Sequence, residues 1–114
     1  MNTPLVQEVT AVQAYEAKSS GATIVDVREE EEFVAGHIAG AVSLPLSRVV
    51  DDYKTLPLES EIIVNCRSGA RSARAVSFLR SMGVDAKNLS GGVIAWNDAG
   101  LPLVTESGID PVIA

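Results

Sequence analysis

With 114 residues, 46% of them apolar, the chain is long enough for one domain with a real core and short for two. Its formal net charge of −6 argues against attraction to nucleic acid or to an anionic membrane, and no apolar run approaches the length that crosses a bilayer. A single cysteine cannot close an internal disulfide, and Met1-Asn2-Thr3-Pro4 has no basic stretch followed by an apolar one. These features predict a cytoplasmic protein with a free thiol.

The apolar mass is Val, Ile, Leu and Ala with few aromatics, the usual filling of an α/β protein with a buried sheet. In chain order, residues 5–9 are a weak strand candidate, and Thr10 can cap a helix running to about Ser19, with Gly21 ending it. Residues 23–27 (Thr-Ile-Val-Asp-Val) form a short β-branched run, the mark of a buried parallel strand. Residues 29–35 read as a short helix stopped by Gly36. The acids Glu29 to Glu32 lie in its first turn, where they complement the helix dipole. Consecutive acids do not converge on one ion, so this run reads as a solvated helix start and not as a metal site.

Residues 41–44 are another weak strand, and residues 61–65 a strong one. Residues 70–82 give the clearest helix, with Val76, Leu79 and Met82 assigned to one face and Gly83 as its stop. Residues 85–89 are a further weak strand candidate, set off by Gly83 and by Gly91-Gly92. Strands alternating with helices predict an open parallel sheet covered on both faces. No repeat, low-complexity tract or linker divides the chain.

The informative junction is strand, Cys66, glycine-containing loop, helix: Cys66-Arg67-Ser68-Gly69-Ala70-Arg71-Ser72. Ligands of an open parallel sheet bind beyond the carboxyl ends of its strands, and Cys66 stands at such an end. The unpaired N–H groups of a helix start can converge on one anionic atom, and Gly69 permits a positive φ or a close backbone approach. From Cys66 to Val84 there are four arginines and no acid, so an acidic protein concentrates positive charge near its only cysteine. Arg74 and Arg80 read as a solvated helix face, whereas Arg67 and Arg71 flank the thiol. Each influence favours thiolate and predicts a depressed Cys66 pKa.

Three blocks in order resemble the rhodanese-like sulfurtransferases, over roughly residues 6–102. The first is Asp26-Val27-Arg28 with Glu32-Phe33 and Gly36-His37-Ile38-Ala39-Gly40-Ala41. The second is the loop with Cys66 and Arg71. The third is Leu89-Ser90-Gly91-Gly92 with Trp96 and Gly100-Leu101-Pro102. The resemblance implies a single rhodanese-like domain over residues 1–102, with a parallel sheet of about five strands and helices on both faces. It also implies double displacement. Cys66 would take the outer sulfur of an anionic donor such as thiosulfate as a persulfide, and cyanide, a small thiol or a protein thiol would remove it. Residues Arg67, Ser68, Gly69, Ala70, Arg71 and Ser72 would bind the donor, and a sulfur-relay protein is a conceivable partner. Asp26 and Arg28 would support the site, Arg28 by pairing with a nearby Glu and Asp26 by bonding loop backbone.

Ser72 either donates to the Cys66 thiolate or caps its helix, and Ser68 either donates to the bound anion or shapes the turn. His37, the only histidine, tempts one toward a Cys–His pair, yet its Gly-His-Ile turn favours a packing role. Trp96 reads as a core or rim anchor. No set of Cys, His and acids has metal-ligand spacing and no Walker loop is present, so neither metal nor cofactor is expected. A Cys-dependent phosphatase or arsenate reductase is a rival, but those enzymes place five residues between Cys and Arg where this chain has four. A second rival is a persulfide carrier or regulatory module without turnover. Residues 103–114 lie outside the resemblance and carry apolar Leu103, Val104, Ile109, Val112 and Ile113, enough to dock on the domain or on a partner. A loop thiol reads as exposed, so Cys66→Ser is expected to abolish transfer with little change in stability.

Overall fold

Residues 7–114 are described by the structure, a computed structural model. The elements in order are β1 (Glu8–Val9), α1 (Ala11–Ser19), β2 (Thr23–Asp26), α2 (Glu30–Ala35), β3 (His37–Ile38), β4 (Val42–Ser43), α3 (Val49–Asp52), β5 (Ile62–Asn65), α4 (Ala70–Ser81), β6 (Ala86–Leu89), α5 (Gly92–Asp98) and β7 (Leu103–Val104). The first strand was expected over residues 5–9, of which 5 and 6 lie outside the described residues.

Five strands form one parallel sheet in the order β1-β6-β5-β2-β4. Its centre is β5, buried along its whole length because both sheet faces are covered. Alternation along the strand sends Ile62 and Val64 to one core and Ile63 to the other. The first core is closed by Ala75, Val76 and Leu79 of α4 and by Val49 of α3. The second is closed by Ala11 and Ala14 of α1 and by Val93 and Trp96 of α5. The parallel register pairs Asp26 with Asn65 and Val64 with Asn88, so the carboxyl ends of β2, β5 and β6 open on the same edge of the sheet. Among the described residues no helix is long and apolar enough to cross a membrane.

Thr10 caps α1 as expected, its side chain accepting from the Gln13 N–H at 3.1 Å. Met82 departs from expectation: it is half exposed, beyond the last residue of α4. Steps of three residues drift about 60° around a helix, so two steps carry Met82 off the face that Val76 starts. The buried stripe is instead Ser72, Ala75, Val76 and Leu79.

The tail docks on its own domain. Leu103 and Val104 pair antiparallel with Ile38 and His37, and Ile113 packs on the second core.

Candidate active site

Cys66 follows β5 directly, and its side chain belongs to the core on the α4 side. At 1% exposure it lies on the floor of the loop and not at its rim. The expected near-neutrality of Cys66→Ser therefore needs correcting: a serine there would lose the packing of a buried sulfur.

Three donors reach Sγ. The Gly69 N–H lies at 3.1 Å, the Ser72 N–H at 3.4 Å and the Ser72 hydroxyl at 3.3 Å. Gly69 makes this possible with a φ of +111°, which turns its N–H back over the sulfur as the chain enters α4. Burial pushes the Cys66 thiol up, but the Ser72 hydroxyl and the N–H groups of Ser72, Gly69 and Ser68 outweigh it, leaving the thiol more acidic than an ordinary cysteine. Ser72 does not cap α4: the N-cap is Gly69, without a side-chain cap, and the Ser72 hydroxyl has the Gly69 carbonyl at 3.2 Å as a second acceptor beside the sulfur. One proton serves one acceptor at a time, and an anionic sulfur is the stronger of the two.

The loop's carbonyls are held elsewhere. The N–H groups of Val93 and Ile94 donate to the carbonyls of Cys66 (2.9 Å) and Arg67 (3.2 Å), and the Asn88 amide donates to that of Gly69 (3.1 Å). Gly92 brings α5 this close, since a Cβ there would stand 2.4 Å from both the Cys66 and Arg67 carbonyl oxygens. Sequence reasoning did not single out Asn88 or assign a reason to Gly92. No signal in Asp85-Ala86-Lys87-Asn88-Leu89 marks the first, since its neighbour Lys87 is polar too and only the fold buries Asn88.

The two loop arginines are not arranged as expected. Arg71 forms a two-pronged pair with Glu32, Nη1 to Oε1 at 2.8 Å and Nη2 to Oε2 at 2.9 Å. Glu32 also accepts the Glu29 N–H at 2.9 Å, and chiefly the Arg71 hydrogen bond holds its carboxyl down at about 2. Arg71 is raised in turn, first by Glu32 and to a lesser degree by charge on Cys66. Its cation is thus matched within the domain, and hydrogen bonds, more than guanidinium charge, favour the thiolate. Arg67 is exposed and donates from Nε to the Ala114 backbone oxygen at 3.2 Å. Ser68 and Ala70 are exposed at the rim of the loop.

Asp26 and Arg28 form a buried ion pair with each other, at 2.8 Å between Nη2 and Oδ2. Arg28 does not pair with a Glu as expected: two residues apart beyond one strand end, the two side chains share a sheet face and the guanidinium folds back. Asp26 accepts the Arg28 N–H at 3.0 Å, and Arg28 donates to the Gly36 carbonyl at 2.8 Å. Neither side chain hydrogen-bonds Cys66; they brace the turn that leads into α2 and Glu32. His37 is buried and stacked on Phe33 at 3.8 Å, both ring nitrogens facing oxygens, of Phe33 and of Glu106. It therefore offers no free base. Trp96 is buried with its N–H on the Pro102 carbonyl, a core anchor.

The Rhodanese-like domain family matches residues 10–99. The chain belongs to that family. It is 36% identical to a sulfurtransferase of Allochromatium vinosum over 81% of this chain and 87% of that protein. It is 32% identical to the thiosulfate sulfurtransferase GlpE of Ectopseudomonas mendocina, over 90% of this chain and 94% of that one. Two other curated relatives are matched over less than half of their own length. Among solved structures, a rhodanese-related protein from Thermoplasma volcanium superposes with a TM-score of 0.82 at 34% identity, covering 88% of this chain and 99% of that one.

Proposed function

We propose that this rhodanese-like domain moves sulfane sulfur from a small anionic donor such as thiosulfate to a thiophilic acceptor, through a persulfide on Cys66. The observation that carries this reading is the convergence of the Gly69 N–H, the Ser72 N–H and the Ser72 hydroxyl on one sulfur atom. Donors so placed stabilise the attacking thiolate, and stabilise it again as the leaving group when the persulfide gives up its outer sulfur.

In the first step the Cys66 thiolate attacks the outer sulfur of thiosulfate, a sulfur–sulfur bond forms, and sulfite leaves with the electron pair of the broken bond. In the second, cyanide or a thiolate attacks the outer sulfur of the persulfide and the Cys66 thiolate departs. No proton need be moved by a side chain in either step, in keeping with His37 being fully engaged.

The pairing of Arg71 with Glu32 speaks against a phosphatase. Such chemistry needs a guanidinium edge presented to three phosphoryl oxygens, and the Nη edge of Arg71 is turned two-pronged onto the Glu32 carboxylate. Intact mass after exposure to thiosulfate tests the reading. A gain of one sulfur atom, removed by cyanide with formation of thiocyanate and absent in Cys66→Ser, is expected. Turnover of an aryl phosphate without any added sulfur would overturn it.

A further inference from the structure

Arg67 and Arg71 lie four residues apart in one loop and are held by different parts of the molecule. Each Nη of Arg71 already donates one N–H to the Glu32 carboxylate. Arg67 makes one hydrogen bond, from Nε to the Ala114 backbone oxygen, and its two Nη groups have no intramolecular partner among the described residues. Arg67 is therefore the loop guanidinium whose whole Nη edge is left for an incoming anion, whereas that of Arg71 is turned onto a carboxylate.

What holds Arg67 is the segment 109–114, and that segment is fixed by contacts of its own. The Val112 N–H donates to the Ala35 carbonyl at 2.9 Å. Gly36 makes the approach possible: a Cβ there would lie 2.6 Å from the Val112 oxygen and 2.9 Å from its nitrogen. The φ of Gly36 is 167°, extended backbone that any residue adopts, so the requirement for glycine is one of space. Ile113 packs on the core shared by α1 and α5. Upstream, the chain is tied down by β7 on β3 and by Glu106 on His37.

We infer that residues 109–114 are a positioning wall of the active site, holding Arg67 through the Ala114 backbone oxygen so that its Nη edge selects anionic sulfur donors. A long side chain fixed at Nε before the anion arrives has less rotamer freedom to lose on binding. The wall acts through Arg67 and touches no reacting atom. Gly36, at the end of α2, takes on a role that the sequence motif alone does not reveal: leaving room for the tail.

The nature of the anion rests on the sulfurtransferase reading, so the primary test does not depend on it. Alkylation of Cys66 in the full chain is followed with iodoacetate, an anion, and with iodoacetamide, its neutral counterpart, at low ionic strength. Arg67→Ala lowers the ratio of the two rates by about fivefold, the size of one exposed charge contact. Gly36→Ala, which wedges the tail off, and Ile113→Ala, which loosens its anchor, lower the ratio in the same direction while the iodoacetamide rate stays put. In the Arg67→Ala background neither lowers it further. Amide exchange at Val112 reports release of the tail. With thiosulfate as donor, the tail variants raise KM with kcat retained. A wild-type ratio in both tail variants, or an equal drop without Arg67, overturns the inference. Failure of every donor to load wild-type Cys66 overturns the sulfurtransferase reading instead, and the alkylation ratio still decides the role of the tail.

Discussion

Two neighbouring strand ends carry the polar groups of this domain, and they are built in opposite ways. At the end of β2 the charges of Asp26 and Arg28 are sealed at 0% exposure and answer each other. At the end of β5, one register position away, the donors converge on a single sulfur with no formal cation hydrogen-bonded to it. The first end is closed and holds structure. The second turns its donors toward a single sulfur atom, which is what the proposed anionic intermediate would need. The contrast teaches that position at the sheet's carboxyl edge is not enough; what matters is which polar groups are left unpaired by the fold.

Breaking the closed end should have the largest effect. Arg28→Met strands the Asp26 carboxylate in the core and is expected to cost about 3–5 kcal/mol, seen as a lower urea midpoint. If stability were unchanged, the pair would be dispensable and the contrast would fail. Next comes Gly92→Ala, which drives a methyl group into the Cys66 and Arg67 carbonyls from a backbone with φ +61°. Roughly 1–3 kcal/mol should be lost, together with slower alkylation of Cys66 as the cradle is displaced.

Ser72→Ala reaches only the open end. It should cost about 1 kcal/mol of stability and move the thiol's titration, followed by thiolate absorbance, to higher pH. A titration curve left in place would remove Ser72 from the cradle. The smallest effect is expected of Glu32→Gln. Folding depresses the Glu32 carboxyl from 4.5 to about 2, so the Arg71 pair contributes stability fully above pH 4.5 and loses it as pH falls toward 2. The pair is partly open to solvent, so less than about 1 kcal/mol is at stake. Thermal melts across that window should be flatter in Glu32→Gln than in the wild type.

How much of this was legible in the sequence follows from how far each contact reaches. The strand–loop–helix junction is local: Gly69 and Ser72 sit three and six residues from Cys66, and an acidic loop thiol could be read from them directly. The Arg71–Glu32 pair spans 39 residues, Asn88 to Gly69 spans 19, and Arg67 to Ala114 spans 47. Sequence shows which side chains are charged but not which of them the fold will neutralise, and so Arg71 read as a free cation. The burial of Cys66 was hidden for a similar reason. A residue in a polar loop reads as exposed until β5 is seen to carry it beneath α4. Met82 shows the reverse error, where a correct periodicity was extended one turn too far.

The clasp between α5 and the loop has a further consequence. Because Val93, Ile94 and Asn88 hold three loop carbonyls from behind, the peptide dipoles are already oriented before any charge arrives. In the proposed transfer, moving a negative charge from one sulfur to the next would then demand little reorganisation from the surroundings. In water that polarisation would have to be rebuilt at every transfer; here it was settled once, when the chain folded.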